Sequence, residues 1–492
     1  MFSKNVSRSQ FKIAFFVTIF ALDCGTCNTY TKEMLLLAFV VDFLLLNFAV
    51  SAPSDDLISN LPGLTEHATF KQYSGYLDAS PTKHFHYWFV ESQNNPQKVP
   101  LVLWLFGGPG CSSVDGVLSQ NGPYRVNDDG KTLRNNLYSW NKIANVLYIE
   151  SPASVGYSYD DNGDLKTNDD KICSSHYNAL KDFFKKFPEF LLHPLYVFGV
   201  SYGGVYVPML CVRIQNGDVK MNLQGMGIGN GVTSVPMIKN SLVFFAYYHG
   251  LLGDSQWKTL TSLCCNGTPS KENCDFVTNP KMKCEMMVAK TFQYLLSLGL
   301  NTYSLYSECS TGQPTRSKQY EHAMHAIYGT KSIQFNHTIY NKLESTMPCI
   351  NSTAETSWLN RLDVREALHI KPGLPPWCVC SASVTYVSIY QSMEKQYKEL
   401  LKDPNFRVLV YNGDVDSVCN FIGDDWFVDS LNVTLVKPQT PWYVNQQLAG
   451  FAKTFEQIVF TTIRGAGHMT SEWKPSYTFS MLNKFLKNKP FY

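Results

Sequence analysis

Leu195-Tyr196-Val197-Phe198-Gly199-Val200-Ser201-Tyr202-Gly203 is the stretch that decides how this chain reads. Four apolar residues suited to a buried strand run straight into a serine with glycine two positions away on either side. That spacing predicts a sharp strand-to-helix turn, which lifts the hydroxyl clear of a sheet. The pattern also arises as an ordinary glycine turn, so partners must be sought further along the chain. Two stretches supply them. Arg407-Val408-Leu409-Val410-Tyr411 leads into Asn412-Gly413-Asp414-Val415-Asp416, and Ile458-Val459-Phe460-Thr461-Thr462-Ile463 leads into Gly465-Ala466-Gly467-His468. Each polar candidate follows an apolar, β-branched run, at the edge where open α/β sheets place their sites.

Serine, acid, histidine is the chain order of α/β-hydrolases. The expected fold class is therefore α/β: an α/β-hydrolase fold with a mostly parallel central sheet flanked by helices. The expected chemistry is that of a serine hydrolase, which calls for no cofactor and no metal. At this level Asp414 and Asp416 both remain candidates for the acid. The bland reading of His468, a loop histidine bonded to backbone, sits poorly with its Gly-Ala-Gly approach.

The envelope agrees. The chain has 492 residues, enough for a full core and a sizeable insertion. Lys+Arg 42 nearly balances Asp+Glu 40, so no basic field points to nucleic acid or an anionic membrane. Phe11 to Leu22 and Met34 to Val50 are apolar, but neither reaches the roughly 18–20 uninterrupted residues of a spanning helix. Small residues at Ala49-Val50-Ser51-Ala52 suit signal cleavage, with Met34 as an alternative start and no membrane attachment afterwards. Two of the 14 cysteines, Cys24 and Cys27, lie in that leader. Cys264, Cys265, Cys274 and Cys284 admit a zinc reading, but in a secreted chain disulfides are the better one. Sequons at Asn266, Asn336, Asn351 and Asn432 suit glycosylation.

Organisation follows from where strand and helix signals alternate. Residues 1–52 read as leader and 53–233 as the first part of a hydrolase core. Residues 234–353 read as an inserted helical, disulfide-rich cap, and 354–492 as the second part of the core.

Trp104-Leu105-Phe106-Gly107-Gly108-Pro109-Gly110-Cys111-Ser112-Ser113, taken with the three stretches above, resembles the serine carboxypeptidase family. Supporting stretches are Gln72–Leu77, His86–Ser92 and Phe245–Gly253, and the resemblance runs from about residue 52 onward. It implies Ser201 as nucleophile, His468 as general base and acid, and Asp416 as the carboxylate that orients the imidazole, with Asp414 a turn residue. It implies an oxyanion hole from the backbone N–H groups of Gly108 and Tyr202. It also implies the disulfides Cys111–Cys380, Cys264–Cys284, Cys265–Cys274 and Cys309–Cys349. Cys173, Cys211, Cys378 and Cys419 are left unassigned, and Cys378, two residues from Cys380, is a rival partner for Cys111.

The resemblance further implies peptide substrates, or small esters and amides, and a homodimer. It implies delivery to the lysosome, with secretion as the alternative. A family member stabilises other lysosomal hydrolases, so a scaffold role, with association to such hydrolases, is the non-enzymatic alternative; acyl transfer is a third. The retained Ser201, Asp416 and His468 favour catalysis. Relatives are often cleaved in the cap; Thr311 to Pro348 is the candidate stretch, though poor in basic residues.

Three positions depart from the family pattern. Members bind the substrate's terminal carboxylate with an asparagine before the Gly-Gly-Pro-Gly turn and with two glutamates that share a proton at acidic pH. Here those substrate-binding positions hold Phe106, Gln120 and Val200. Hydrogen bonds to a charged group contribute about 1.5–3 kcal/mol each, so losing two lowers preference for a free carboxylate on the order of 10²- to 10⁴-fold. The expectation is a working hydrolase with weakened terminal-carboxylate selectivity, favouring capped substrates. Against it stands replacement of the lost contacts by neighbouring groups.

Overall fold

The computed structural model describes residues 52–65, 68–310 and 349–491. The expected leader with its alternative start, the sequon at Asn336 and the candidate cleavage stretch lie outside the described residues. The compact unit of Asp55–Lys185 and Glu189–Tyr492 holds every site residue.

Its centre is one sheet. In chain order the strands are β1 (Gln72–Asp78), β2 (Lys83–Val90), β3 (Leu101–Leu105), β4 (Asn145–Ile149), β5 (Tyr159–Asp160) and β6 (Leu195–Ser201). They continue with β7 (Leu223–Gly231), β8 (Arg407–Gly413), β9 (Leu435–Val444), β10 (Gln447–Phe455) and β11 (Ile458–Ile463). Across the sheet the order is β1-β2-β4-β3-β6-β7-β8-β11-β10-β9, with β5 beside β2. The six middle strands, β4 to β11 in that order, are parallel, and both edges are antiparallel. β3, β4 and β6 are buried at every position, as continuous apolar runs require when both faces are covered.

Parallel strands put their carboxyl ends on one edge of the sheet. Ser201 closes β6, Asp416 follows β8 and His468 follows β11, so the topology alone gathers them at that edge. Helices supply the covers. Asp169–Lys186 opens with Asp169 and Asp170 at its positive end and buries Ile172, Leu180, Phe183 and Phe184. Gly203–Gln215 leaves the elbow directly.

A second apolar cluster lies among the helices Val235–Tyr248, Asp254–Cys264 and Met282–Ser297, built on Phe244, Leu252, Leu260, Phe276 and Val288. Cys264–Cys284 and Cys265–Cys274 close it, and Cys309–Cys349 is the third bridge of this region. The fourth, Cys111–Cys380, joins the loop after β3 to a segment 269 residues later, which leaves Cys378 as a thiol. Cys173, Cys211 and Cys419 are also free, and buried. Asn266, Asn351 and Asn432 are exposed, as glycan acceptors need to be. Among the described residues no helix is long and apolar enough to cross a membrane.

Candidate active site

Ser201 sits at φ 61°, the left-handed region that costs a side chain energy and that surrounding structure must enforce. The elbow is enforced from above and below. A Cβ on Gly199 would stand 2.8 Å from Leu105 O and 3.2 Å from Gly203 Cα, so a side chain there would wedge the turn open. The strand-to-helix turn expected from the pentapeptide is therefore present, and its close packing explains the glycines.

Contact separates the two candidate aspartates. Asp416 Oδ2 lies 2.7 Å from His468 Nδ1, with both side chains buried. Three more donors hold that carboxylate: Val418 N–H at 2.9 Å on Oδ1, and Asn230 Nδ2 at 2.9 Å and Cys419 N–H at 3.1 Å on Oδ2. Asp414 instead accepts the Gly465 N–H at 2.6 Å and so shapes the turn that carries His468. The histidine's own N–H donates to Tyr303 O at 2.8 Å, with the Tyr303 ring 5.0 Å from the imidazole. Among the described residues no hydrogen bond joins His468 to Ser201. Such contacts are often long without substrate and tighten on binding.

The glycine-rich loop after β3 packs onto the elbow. A Cβ on Gly107 would come within 2.4 Å of Tyr202 N and 2.7 Å of Ser201 Cβ, so only glycine permits this approach. Gly108 follows at φ +111°. Tyr202 is pinned by its phenol, which donates to Asp169 Oδ1 at 2.8 Å and contacts Ser388 Oγ at 2.7 Å. Asp169 also accepts from Tyr386 OH and from the Ile389 and Tyr390 N–H groups.

Phe106, Gln120 and Val200 are all buried. Phe106 and Val200 belong to the main apolar cluster and offer no polar atom beyond the backbone. Gln120 donates Nε2 to Asp115 Oδ2 at 2.5 Å, so one of its two donors is already committed. Burial pushes the Asp115 carboxyl up, partly offset by hydrogen bonds from Gln120 and Ser119. Glu355 is pushed further up, by burial first and then by Asp115 beside it.

Sequence reasoning missed several groups around the acid. Asn230, between Gly229 and Gly231 at the end of β7, bonds Asp416 and accepts the Gly413 N–H at 2.9 Å. Asn412 Nδ2 donates to Asp424 Oδ2 at 2.7 Å, and Thr233 Oγ1 donates to Asp424 Oδ1 at 2.5 Å. Only the Asn-Gly strand end hinted at the first, and nothing marked Asp424.

Burial pushes the Asp424 carboxyl up to about 7, with Asp416 nearby adding to it. Its unfolded value of 3.8 is lower, so the folded state holds a proton that the unfolded chain releases. The stability from this group is full below 3.8 and is lost as pH rises through about 7, on the order of 4 kcal/mol. In Asp424→Asn that component disappears. Urea unfolding at both ends of the window should show a smaller pH-dependent loss in the variant than in the native protein. An equal loss in both counts against a raised Asp424.

A strained serine elbow with an aspartate and histidine at one edge of a mostly parallel sheet defines a serine α/β-hydrolase. Residues 62–488 match the serine carboxypeptidase family model, and the chain belongs to that family as a serine-type carboxypeptidase. The lysosomal protective protein of Mus musculus is 45% identical over 457 residues, covering 90% of this chain and 95% of its own length. A serine carboxypeptidase of Caenorhabditis elegans is 39% identical over 463 residues, covering 90% and 96%. The crystal structure of a prohormone-processing carboxypeptidase from Saccharomyces cerevisiae superposes with a TM-score of 0.69 at 21% identity, over 89% of this chain and 97% of that one. At that identity the superposition speaks for the fold.

Proposed function

We propose that this carboxypeptidase works through an acyl-enzyme on Ser201 and has a weakened preference for free terminal carboxylates. The observation that carries the mechanism is the buried Asp416–His468 contact of 2.7 Å beside the Ser201 elbow. Ser201 Oγ attacks the carbonyl carbon of the last peptide bond while His468 Nε2 takes its proton. Asp416 keeps the remaining ring N–H on Nδ1 and stabilises the imidazolium. The N–H groups of Gly108 and Tyr202 receive the developing oxyanion, each contributing on the order of 3–4 kcal/mol. His468 returns the proton to the leaving amine. Water then attacks the acyl-enzyme by the same route, with His468 again as base.

Selectivity turns on the leaving-group side. Phe106 and Val200 present apolar surface, and desolvating a carboxylate against it is costly. Gln120 has a donor left but does not titrate. Peptide amides and esters should therefore compete with free acids. Residues 234–353 are read as a cap over the site. The leader and the name of the mouse relative support a lysosomal or secreted location, and a homodimer or association with other lysosomal hydrolases belongs to the same reading.

The test compares kcat/KM for one N-blocked dipeptide as free acid and as C-terminal amide, from acidic to neutral pH. The amide should equal or exceed the acid throughout. A strong acid-side preference for the free acid means that other groups have rebuilt the carboxylate site.

A further inference from the structure

Glu150, immediately after β4, is fully buried and lies outside the triad. Four polar groups converge on its two oxygens. Ser112 Oγ and Trp377 Nε1, the latter at 2.8 Å, meet Oε1; His86 Nδ1 and the Tyr157 N–H, both at 2.8 Å, meet Oε2. Gly156 makes room for it, since a Cβ there would stand 1.8 Å from Oε1.

Two of those donors flank one disulfide. Ser112 follows Cys111, and Trp377 lies three residues before Cys380. The two segments are further laced by Ser112 N–H to Val379 O at 2.7 Å and Ser381 N–H to Gly110 O at 2.9 Å. Cys111 N–H in turn donates to Gly107 O at 3.1 Å, which carries the linkage into the loop that touches Tyr202 N and Ser201.

His86 is itself tied down. His86 is fully buried, and its Nε2 lies 2.8 Å from Ser74 Oγ. Ser74 has one hydroxyl proton and gives it to Leu368 O at 2.7 Å. The ring therefore donates from Nε2 to Ser74, and one hydrogen bond joins its Nδ1 to Glu150 Oε2. A buried carboxyl group with two hydrogen-bond partners on each oxygen is fully satisfied. Tyr76 and Tyr157 face the imidazole edge-on at 5.8 and 5.2 Å, and Arg365 lies over the Tyr157 ring.

We propose that Glu150, held in place by His86, is a positioning residue for the oxyanion loop, gripping it through Ser112 and Trp377 on the two sides of the Cys111–Cys380 bridge. The proposal rests on the reading that Gly108 N–H receives the oxyanion. The carboxylate acts at a distance from substrate. It fixes the direction in which the loop's N–H points, and pre-aimed donors are what this kind of catalysis requires.

Removing Glu150 or His86 strands buried polar partners and threatens the fold, so the test cuts the link instead. Ser112→Ala and Trp377→Phe leave the pair intact and loosen the loop. Each should lower kcat about tenfold, a fraction of what losing one oxyanion donor costs, with KM unchanged. A peptide aldehyde adds to Ser201 and places an oxyanion in the hole, so its Ki should rise by a similar factor. The Kd of the matching product acid should not move. Because both residues act through one carboxylate, the double variant should fall short of the product of the two single effects. Unchanged kcat and aldehyde Ki, or a parallel shift in KM and product affinity, overturns the proposal. A peptide aldehyde that binds the native protein no more tightly than the product acid would instead sink the oxyanion-hole reading beneath it.

Discussion

Ser201→Ala should lower kcat on the order of 10⁶-fold, and Asp416→Asn on the order of 10⁴-fold, each in a folded protein. The serine carries the acyl group, so its loss leaves only binding and the oxyanion donors. The aspartate case is more revealing. Its carboxylate accepts from His468 Nδ1, Asn230 Nδ2 and the N–H groups of Val418 and Cys419. An asparagine has one acceptor oxygen for all of them and turns an amide N–H against the rest. If that N–H faces His468 Nδ1, the imidazole is forced into the tautomer with its proton on Nε2, where it can no longer take one from Ser201. Steady-state rates and labelling of Ser201 by a fluorophosphonate probe measure both effects. Labelling that persists in Ser201→Ala, or an Asp416→Asn rate within tenfold of native, would refute these assignments.

The second large effect concerns what leaves. Restoring the family residues together, as Phe106→Asn, Gln120→Glu and Val200→Glu, should raise the ratio of kcat/KM for free acid over amide at acidic pH by on the order of 10²- to 10⁴-fold. The family resemblance has these two glutamates share a proton, so one retains it in acid and can donate it to a substrate carboxylate. The gain should therefore vanish towards neutral pH. The Gln120 amide now donates to Asp115, and a glutamate in its place would face that carboxyl, whose proton affinity burial already raises. A native protein that already prefers the free acid strongly in acid, or a triple variant whose ratio stays put, would show that these three positions do not control selectivity.

A linear reading is enough to pick out Ser201, His468 and the order serine, acid, histidine. These are local facts: a serine between close-packed glycines, and polar residues just beyond apolar runs. Strand continuity and glycine spacing are properties of neighbouring residues, so a linear reading can find them. The residues alone leave Asp414 and Asp416 open, because both stand just past the end of β8. Tertiary contact separates them, with one carboxylate on the Gly465 N–H and the other on the imidazole. Asn230 meets Asp416 from 186 residues away, Glu150 meets His86 from 64, and Trp377 meets Glu150 from 227. Such pairs have no periodicity and no spacing rule. Burial then decides their chemistry, because a polar group cut off from water must find a partner wherever the fold brings one, and only the folded chain specifies which.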